Sequence, residues 1–380
     1  MAWAYVIRSS DRKMFKSCRR AWDLGSRSRQ NYEPVQPTQA FDFDKAMHEA
    51  LALYYFPGMW EWNREIVIPM VLEGFVRSMQ EQRNRCLKRR AFSAKEEQAW
   101  NEHLDIGENI LSHYAEWAPG VDRFEPIRVA PDFEVNIPNP ARPDEDLATP
   151  GSTPVVPVRY RGRFDALVVN GHDAYWIIEH RIAAEAFADL DELLLDEQSV
   201  AACWAWQIFC PGMRIAGVIY NELCKIVPDR PAAMVPARAV LTPQIALERR
   251  TPPAKLQGLY RQAVKEPENR VEQRGNETFR RTQIARSQKE VESAGRQVAL
   301  EALEIIDSKL RLYPNPMWVN CSRCDFRQPC RAMYEGADAA AILSTFYRKR
   351  SDDEFEPGRL GGSTFSMDRG AIPPNFVKED

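Results

Sequence analysis

The chain has 380 residues and a net charge of −3, with 44% hydrophobic and 28% charged residues. This length exceeds the usual single domain, so we expect two domains or one large domain with appendages. The first residues, MAWAYVIRSSDRKMF, become charged before any long apolar core, which excludes a secretory signal there. The most apolar stretch is interrupted by Gln207, Pro211 and Arg214, which excludes a membrane span. We therefore expect a cytoplasmic protein with no membrane partner.

The small net charge hides two basic segments. Eight basic and two acidic residues lie between Arg8 and Arg29, and twelve basic and six acidic residues lie between Arg249 and Arg296. Each segment has a net charge of +6. A basic groove for nucleic acid would explain this distribution, and so would solvated helix faces.

The first part of the chain has the apolar spacing of helices. Helical periodicity covers four segments. They are residues 9–25, 43–56, 64–87 and 94–118. We therefore predict that residues 1–118 form a mainly helical N-terminal region.

The next part alternates between strands and helices. Val, Ile, Tyr and Phe dominate segments that are separated by Pro, Gly and Asn, which is typical of strands. These segments are residues 124–138, 155–170, 173–183 and 213–223. A polar, proline-rich loop is predicted at 139–154 and a long helix at 190–209.

This order predicts a mixed α/β core over residues 119–242. A helical region is predicted over residues 243–349, with helices at 246–264 and 283–310. Residues 350–380 are polar and turn-rich, which predicts a flexible tail. The predicted fold class is therefore a mixed α/β sheet core with flanking helices and a helical N-terminal arm.

Two acidic residues stand out on neighbouring predicted strands. Asp165 lies in GRFDAL and Glu179 lies in IIEHR, with a GHD turn between the two strands. If the strands pair as a hairpin, the two carboxylates converge, and carboxylate oxygens are the ligands that Mg²⁺ and Mn²⁺ prefer. A divalent ion there could polarise a phosphodiester and activate water. The alternative is that both acids are ordinary solvent-facing strand residues.

The spacing of these motifs resembles the PD-(D/E)XK nuclease superfamily, and its RecB-like branch in particular. This resemblance implies a restriction-endonuclease-like core in which Asp165 and Glu179 bind the metal, together with the backbone carbonyl of His180. The segment DFDKAMHEAL resembles the helix that supplies a metal-binding histidine in that branch, which points to His48. Gln198 on the following helix is placed like the first residue of the Q-x-x-x-Y motif.

The cysteines form two groups. Cys86, Cys203, Cys210 and Cys224 stand singly in helix-like or strand-like segments, where a buried thiol is the simplest expectation. By contrast, CSRCDFRQPC at residues 321–330 contains three cysteines near the end of the chain. Three thiolates leave a four-coordinate site one ligand short, and four thiolates suit zinc or an iron–sulfur cluster equally well.

The same resemblance identifies the missing cysteine. Some RecB-like and CRISPR-associated exonucleases hold a [4Fe–4S] cluster with one cysteine near the N-terminus and three near the C-terminus. Here this implies Cys18 together with Cys321, Cys324 and Cys330. The resemblance covers residues 10 to about 345 and is strongest to exonucleases from bacteriophages.

The sequence departs from the family pattern at two positions. Arg181 replaces the superfamily lysine, and Ala202 replaces the tyrosine of the helix motif. Arginine stays charged and cannot serve as a base, but it could stabilise negative charge on a phosphate. Lys225 is an alternative source of the missing amine.

We therefore predict a Mg²⁺- or Mn²⁺-dependent DNA exonuclease. The predicted catalytic residues are Asp165, Glu179, Arg181 and Gln198. Single-stranded DNA or duplex ends would pass basic and aromatic residues 279–281. A recombination or DNA-processing protein is the predicted additional partner.

Two other interpretations remain open at this point. One is a nuclease-fold protein that binds DNA or a protein without cutting, because the lysine and the tyrosine are replaced. The other is a zinc-stapled structural protein with no nucleic-acid role.

Overall fold

The computed structural model describes residues 4–36, 39–184, 186–226 and 271–351. The helices in these ranges are α1 (Ser9–Ser17), α2 (Arg19–Gly25), α3 (Phe43–Tyr54), α4 (Arg64–Leu87), α5 (Ala94–Val121), α6 (Leu190–Leu194), α7 (Glu197–Phe209), α8 (Gln288–Ile305), α9 (Trp318–Cys321), α10 (Arg327–Glu335) and α11 (Ala339–Phe346). Within the described ranges, no helix is both long enough and apolar enough to cross a membrane.

The strands in the described ranges fall into four sheets. They are β1 (Tyr5–Arg8), β2 (Tyr32–Pro34), β3 (Phe124–Val129), β4 (Asp132–Asn136), β5 (Pro138–Asn139), β6 (Arg142–Asp146), β7 (Val158–Arg163), β8 (Ala166–Asn170), β9 (Tyr175–Ala183), β10 (Ile215–Cys224), β11 (Val271–Gly275), β12 (Phe279–Ala285) and β13 (Tyr347–Lys349). The central sheet has six strands in the order β11-β12-β10-β9-β8-β3. A smaller sheet has the order β1-β7-β4, and β2 with β13 and β5 with β6 form two-stranded pairs.

The central sheet is mixed and is covered on both faces. Its β9–β10 pair is parallel, and its other pairs are antiparallel. Because side chains alternate along a strand, Trp176 and Ile178 on β9 pack towards α3, α4 and α5, whereas Ile177 packs towards α7 and α8. The predicted mixed α/β core with flanking helices is confirmed.

The chain crosses between the two larger sheets immediately before the site. The sequence predicts one strand over residues 155–170, but the structure divides it into β7 and β8 at Phe164 and Asp165. Phe164 is buried with its ring edge-on to Trp206, at a centroid distance of 5.2 Å. The Asp165 carbonyl accepts a hydrogen bond of 2.7 Å from the Ala130 amide. These contacts turn the backbone, so Asp165 lies at the start of a new strand.

Two predicted helices are also interrupted. The helix predicted over residues 9–25 breaks at Cys18, which is extended with φ −162° and ψ 110°. The helix predicted over residues 190–209 breaks before Asp196, whose side chain accepts from the Gln198 amide and caps α7. Both breaks place a polar or thiol side chain beside a helix start.

The region predicted to be helical contributes two strands. β11 and β12 join the central sheet, and α8 begins only at Gln288, after a capping box formed by Ser287 and Glu290. The polar 139–154 loop contains the β5–β6 pair. The helix predicted at 246–264 lies outside the described residues, as does nearly all of the predicted tail. The boundaries of the four predicted regions stay a prediction.

A buried ion pair fastens α1 to α8. Arg12 Nε donates to Glu301 Oε2 at 2.6 Å, and both side chains are buried. Burial opposes ionisation of Glu301, but the Arg12 contact prevails and holds the pKa of Glu301 below its usual value. The N-terminal helix is therefore anchored to the long C-terminal helix by charge as well as by apolar packing.

Glu301→Gln is expected to lower the free energy of unfolding by about 3 kcal/mol near neutral pH, because it removes the buried counter-charge of Arg12 and leaves only the more exposed Glu197 carboxylate, 3.6 Å away. A carboxyl with a depressed folded-state pKa stabilises the fold above its unfolded pKa. That stability is lost as pH falls through the folded pKa. Wild type should therefore lose stability below about pH 4 more steeply than the variant. Urea unfolding between acid and neutral pH measures both slopes, and equal slopes would contradict the assignment.

Candidate active site

The β8–β9 hairpin brings the two predicted carboxylates together. Ala166 pairs with Ile178, so the same antiparallel register continued by one residue sets Asp165 opposite Glu179. Directly opposite residues in an antiparallel pair have neighbouring Cβ atoms. Burial first, and then the charge of Asp165, raises the pKa of Glu179. The predicted hairpin and the convergence of the two acids at one end of it are confirmed.

Helix α3 adds the predicted histidine. Asp42 caps this helix by accepting from the Lys45 amide, which fixes the helix start two turns before His48. His48 Nδ1 donates to Asp165 Oδ1 at 2.8 Å. Burial disfavours the charged imidazole, but Asp165 more than compensates and raises the pKa of His48 to about 9. His48 also holds the pKa of Asp165 low.

His180 contributes its backbone to the site and its ring to the core. The His180 amide donates to Asp165 Oδ2 at 2.6 Å. Since the N–H and C=O of one extended residue point to the same side of a strand, the His180 carbonyl also faces the Asp165 end. The ring accepts from Asn221 Nδ2 at 2.8 Å and stacks on Tyr55. Burial lowers the pKa of His180 to about 3, so the ring stays neutral.

A buried polar network lies behind this histidine. Arg281 forms an ion pair with Asp122 and also donates to the hydroxyls of Tyr55 and Tyr114. Asn221, the partner of His180, lies opposite Arg281 in the β10–β12 register. This network holds α5, β10 and β12 together behind β9, the strand that carries the site residues.

The predicted DNA path along residues 279–281 is wrong. Phe279 is fully buried, and Arg281 is buried in the ion pair with Asp122. Arg280 donates to Glu222 at 2.6 Å, and Glu222 is itself buried. The sequence could not separate these arginines from surface ones, because their carboxylate partners come from other strands and helices.

Arg181 lies on the same face of β9 as Glu179 and is held from two sides. Its NH2 group donates to Asp196 Oδ2 at 2.7 Å, and its guanidinium lies 5.0 Å from the centroid of the Tyr220 ring. Glu192 is 3.6 Å away. Asp196 Oδ2 also accepts from Ser199 at 2.6 Å. Sequence reasoning missed Asp196, although its position two residues before Gln198 marks it as a helix cap.

Gln198 and Lys225 lie at the edge of the site. Gln198 is on the first turn of α7, and its side chain is exposed. Its backbone N–H donates to Asp196 Oδ1 at 3.2 Å. Lys225 follows β10, and its Nζ lies 2.9 Å from Asp44 Oδ1. Asp44 is one helical turn before His48 on α3. The structure thus brings His48, Asp165, Glu179 and the His180 backbone together, with Arg181 beside them and Gln198 and Lys225 further out.

Contacts of the predicted cluster cysteines join the N-terminal helices to the C-terminal segment. The Asn315 amide donates to Cys18 Sγ at 3.4 Å, and Arg20 donates to Cys330 Sγ at 3.8 Å. Burial raises the pKa of Cys324, and the nearby Cys18 and Cys330 raise it further. Together with Cys321, these four thiols are half-buried and form no disulfide, whereas Cys86, Cys203, Cys210 and Cys224 are buried, as predicted.

The donor atoms present are of the types that the implied metal ion and cluster would need. Asp165, Glu179 and His48 offer oxygen and nitrogen donors on one side of the sheet edge. The four half-buried thiols offer sulfur donors, and two of them, Cys18 and Cys330, accept N–H hydrogen bonds. Among the described residues, no group of three His, Cys, Asp or Glu side chains already has the arrangement of a metal-ion site.

Comparison with known proteins identifies a family for most of the chain. The model of the PD-(D/E)XK nuclease superfamily matches residues 10–331. The chain belongs to the PD-(D/E)XK nuclease superfamily, and its mixed sheet with flanking helices is the restriction-endonuclease-like fold. Members of this superfamily are generally nucleases that use divalent metals and act on nucleic acid.

Other comparisons add little. A solved structure titled "Crystal structure of SSO0001" is similar at 13% sequence identity and a TM-score of 0.27, covering 63% of this chain and 77% of that one. A likeness at that level carries no argument about function. No curated protein matches the sequence.

Proposed function

We propose that this protein is a Mg²⁺- or Mn²⁺-dependent DNA exonuclease. The observation that carries the proposal is the position of Asp165. Its two carboxylate oxygens contact His48 on α3 and the His180 amide on β9, and Glu179 lies opposite in register. A helix and a hairpin that are distant in sequence thereby converge at one end of the β8–β9 pair, beside a cationic side chain.

Each residue has a distinct task in this proposal. His48, Asp165, Glu179 and the His180 carbonyl would hold the divalent ion, which supplies Lewis-acid stabilisation of the phosphodiester and activation of water. The raised pKa of Glu179 reflects burial and repulsion from Asp165, so this end of the hairpin favours positive charge. The His48–Asp165 contact orients both side chains before substrate arrives.

Arg181 would stabilise negative charge on the phosphate rather than act as a base. Its guanidinium is held by Asp196 and packs against Tyr220, which limits the reorganisation needed when charge develops. Asp196 is thus a positioning residue in this proposal. Gln198, exposed at the α7 start, would contact the DNA strand.

Arg181→Gln is expected to lower kcat for DNA cleavage by about 100-fold while Mn²⁺ affinity stays unchanged, because one electrostatic donor to the phosphate is lost. The matched control is Arg296→Gln, which changes an exposed arginine on α8 and should leave kcat unaltered. Steady-state kinetics and a Mn²⁺ titration separate the two effects. Equal kcat in wild type and Arg181→Gln would remove Arg181 from the proposal.

A second candidate function is DNA or protein binding without cleavage. The observation in its favour is that Arg181, which replaces the lysine, is already paired with Asp196 and lies near Glu192. If wild type with Mn²⁺ leaves DNA intact and Arg181→Lys cleaves it, this second function is correct. Salt-sensitive DNA binding that survives Asp165→Ala would support it further.

We also propose that Cys18, Cys321, Cys324 and Cys330 hold a [4Fe–4S] cluster with a structural role. The support is the proximity of three of these thiols and the N–H and guanidinium donors on two of them. Such a cluster would join region 1–118 to region 243–349 across the core at 119–242. A zinc ion is the alternative. Half-buried free thiols suit the reducing cytoplasm, which the sequence predicts as the location.

The requirement for a DNA end tests the exonuclease assignment. Linear DNA, single-stranded or duplex, and closed circular DNA of the same sequence are incubated with the protein and Mn²⁺. We expect the linear forms to be degraded and the circular form to stay intact. Cleavage of the circular form would make the protein an endonuclease. A recombination or DNA-processing protein that supplies or uses such ends is the partner that this activity implies.

A further inference from the structure

The segment from Lys309 to Tyr334 exposes aromatic side chains to an unusual extent. Trp318 is 81% exposed, Tyr334 is 87% exposed and Tyr313 is 52% exposed. Large aromatic side chains are normally buried for most of their surface, and exposed ones are enriched where a partner binds. None of these three residues belongs to the active site.

The same segment is strongly basic. It contains five basic residues and a single acidic one, Asp325. The side chains of Lys309, Arg311, Arg323 and Arg327 are exposed, and in the described part of the chain none of them forms an ion pair. Arg331 pairs with Glu335, but its side chain is 76% exposed. A protein-binding core is usually depleted of charge, so this composition favours a polyanion.

The fold arranges these residues on connected elements. Arg327, Arg331 and Tyr334 are spaced i, i+4 and i+7 on α10, so they share one face of that helix. Trp318 begins α9, and Tyr313 precedes it. The Tyr313 carbonyl accepts from the Arg20 amide, while the Arg20 side chain contacts Cys330 on α10.

Tyr313 and α10 are therefore fixed against the same turn of α2. The Arg19 guanidinium, which forms an ion pair with Glu304, lies 5.1 Å from the centroid of the Tyr313 ring. The exposed aromatic and basic residues therefore lie on elements that meet at α2, and we term residues 309–334 the aromatic–arginine surface.

We propose that the aromatic–arginine surface binds single-stranded DNA, with bases stacked on Trp318, Tyr334 and Tyr313 and with phosphates contacted by the arginines. Stacking with backbone neutralisation is how single strands are held without sequence preference. The proposal rests on the proposed nuclease function, because it assigns a second contact region to the same substrate. DNA bound there would remain attached while its end is processed elsewhere on the protein.

The test uses DNA binding in EDTA, where no metal-dependent cleavage occurs. The probe is a fluorescein-labelled oligothymidine of about 20 nucleotides, and anisotropy gives the Kd. The Trp318→Ala/Tyr334→Ala variant is expected to bind at least about tenfold more weakly than wild type. The matched control is Trp62→Ala, which removes an exposed tryptophan outside residues 309–334 and should leave the Kd unchanged.

Salt dependence tests the arginines separately. Arg323→Gln/Arg327→Gln should reduce the slope of log K against log salt by about 1.4, as expected for two phosphate contacts on a single strand. Retention of the wild-type circular dichroism spectrum checks that each variant is folded.

The outcomes separate this proposal from the nuclease assignment. If the oligonucleotide binds with the predicted losses but Mn²⁺ produces no cleavage, the surface stands and the proposed function fails. If wild type cleaves DNA while the aromatic variant binds as tightly as wild type, the nuclease stands and the surface proposal is overturned. Unchanged DNA binding in both variants would instead favour a protein partner at these aromatics.

Discussion

Asp165→Asn is expected to lower the affinity for Mn²⁺ by more than about 100-fold while the protein stays folded. Asp165 is the residue on which the site converges, because its carboxylate contacts both His48 and the His180 amide. An amide in its place keeps the shape but removes the negative charge. The pKa of His48 should then fall from about 9, since Asp165 is what raises it.

Electron paramagnetic resonance of free Mn²⁺ during a titration measures this affinity directly. The matched control is Asp105→Asn, which neutralises an exposed aspartate on α5 and should bind Mn²⁺ as wild type does. If Asp165→Asn and wild type bind Mn²⁺ equally, the metal site is elsewhere and the proposed ligand set is incorrect.

Cys18→Ser is expected to remove the absorbance near roughly 400 nm from anaerobically purified protein. It should also lower the free energy of unfolding by at least about 4 kcal/mol, because the proposed cluster would close a loop that spans nearly the whole chain. Cys18 lies at the break between α1 and α2, and its sulfur accepts from the Asn315 amide. Its loss would therefore release the N-terminal helices from the C-terminal segment.

Cys210→Ser serves as the control for this experiment. Cys210 is buried at the end of α7, so the substitution should leave the absorbance intact. Full absorbance in Cys18→Ser would assign the fourth ligand to another residue. A colourless wild-type protein that contains zinc would replace the cluster with a zinc site.

The parts of the site that the sequence predicted depend on local patterns. Asp165 and Glu179 flank a short hairpin, where the turn sets the register and therefore the meeting of the two side chains. His48 lies on a helix with a clear apolar period and an Asp42 cap. The family resemblance then connected the helix and the hairpin, which lie far apart in sequence.

The parts that the sequence missed depend on long-range charge pairing. Arg281 on β12 is balanced by Asp122 at the end of α5, and Arg280 by Glu222 on β10. Charged and polar residues occupy buried positions of β12, so its sequence, FRRTQIA, lacks the apolar–polar alternation of a half-buried strand. For this reason β11 and β12 were predicted as part of a helical region, and Arg280 and Arg281 as a DNA path.

Asp196 illustrates the same limit at the site itself. Its role as the α7 cap is visible in the sequence, but its contact with Arg181 depends on how α7 packs across β9. The replacement of lysine by arginine is therefore accompanied by a carboxylate that fixes the guanidinium. Sequence comparison of the motif alone records the replacement but not the compensating contact.

The most direct test is the Mn²⁺-dependent cleavage of end-labelled linear DNA by wild type and Glu179→Ala, with Glu61→Ala as the exposed-carboxylate control. We expect wild type and Glu61→Ala to release labelled nucleotides, EDTA to abolish the release, and Glu179→Ala to be slower by at least about 1,000-fold. Equal rates in wild type and Glu179→Ala, or no cleavage by wild type with either Mn²⁺ or Mg²⁺, would contradict the proposed function.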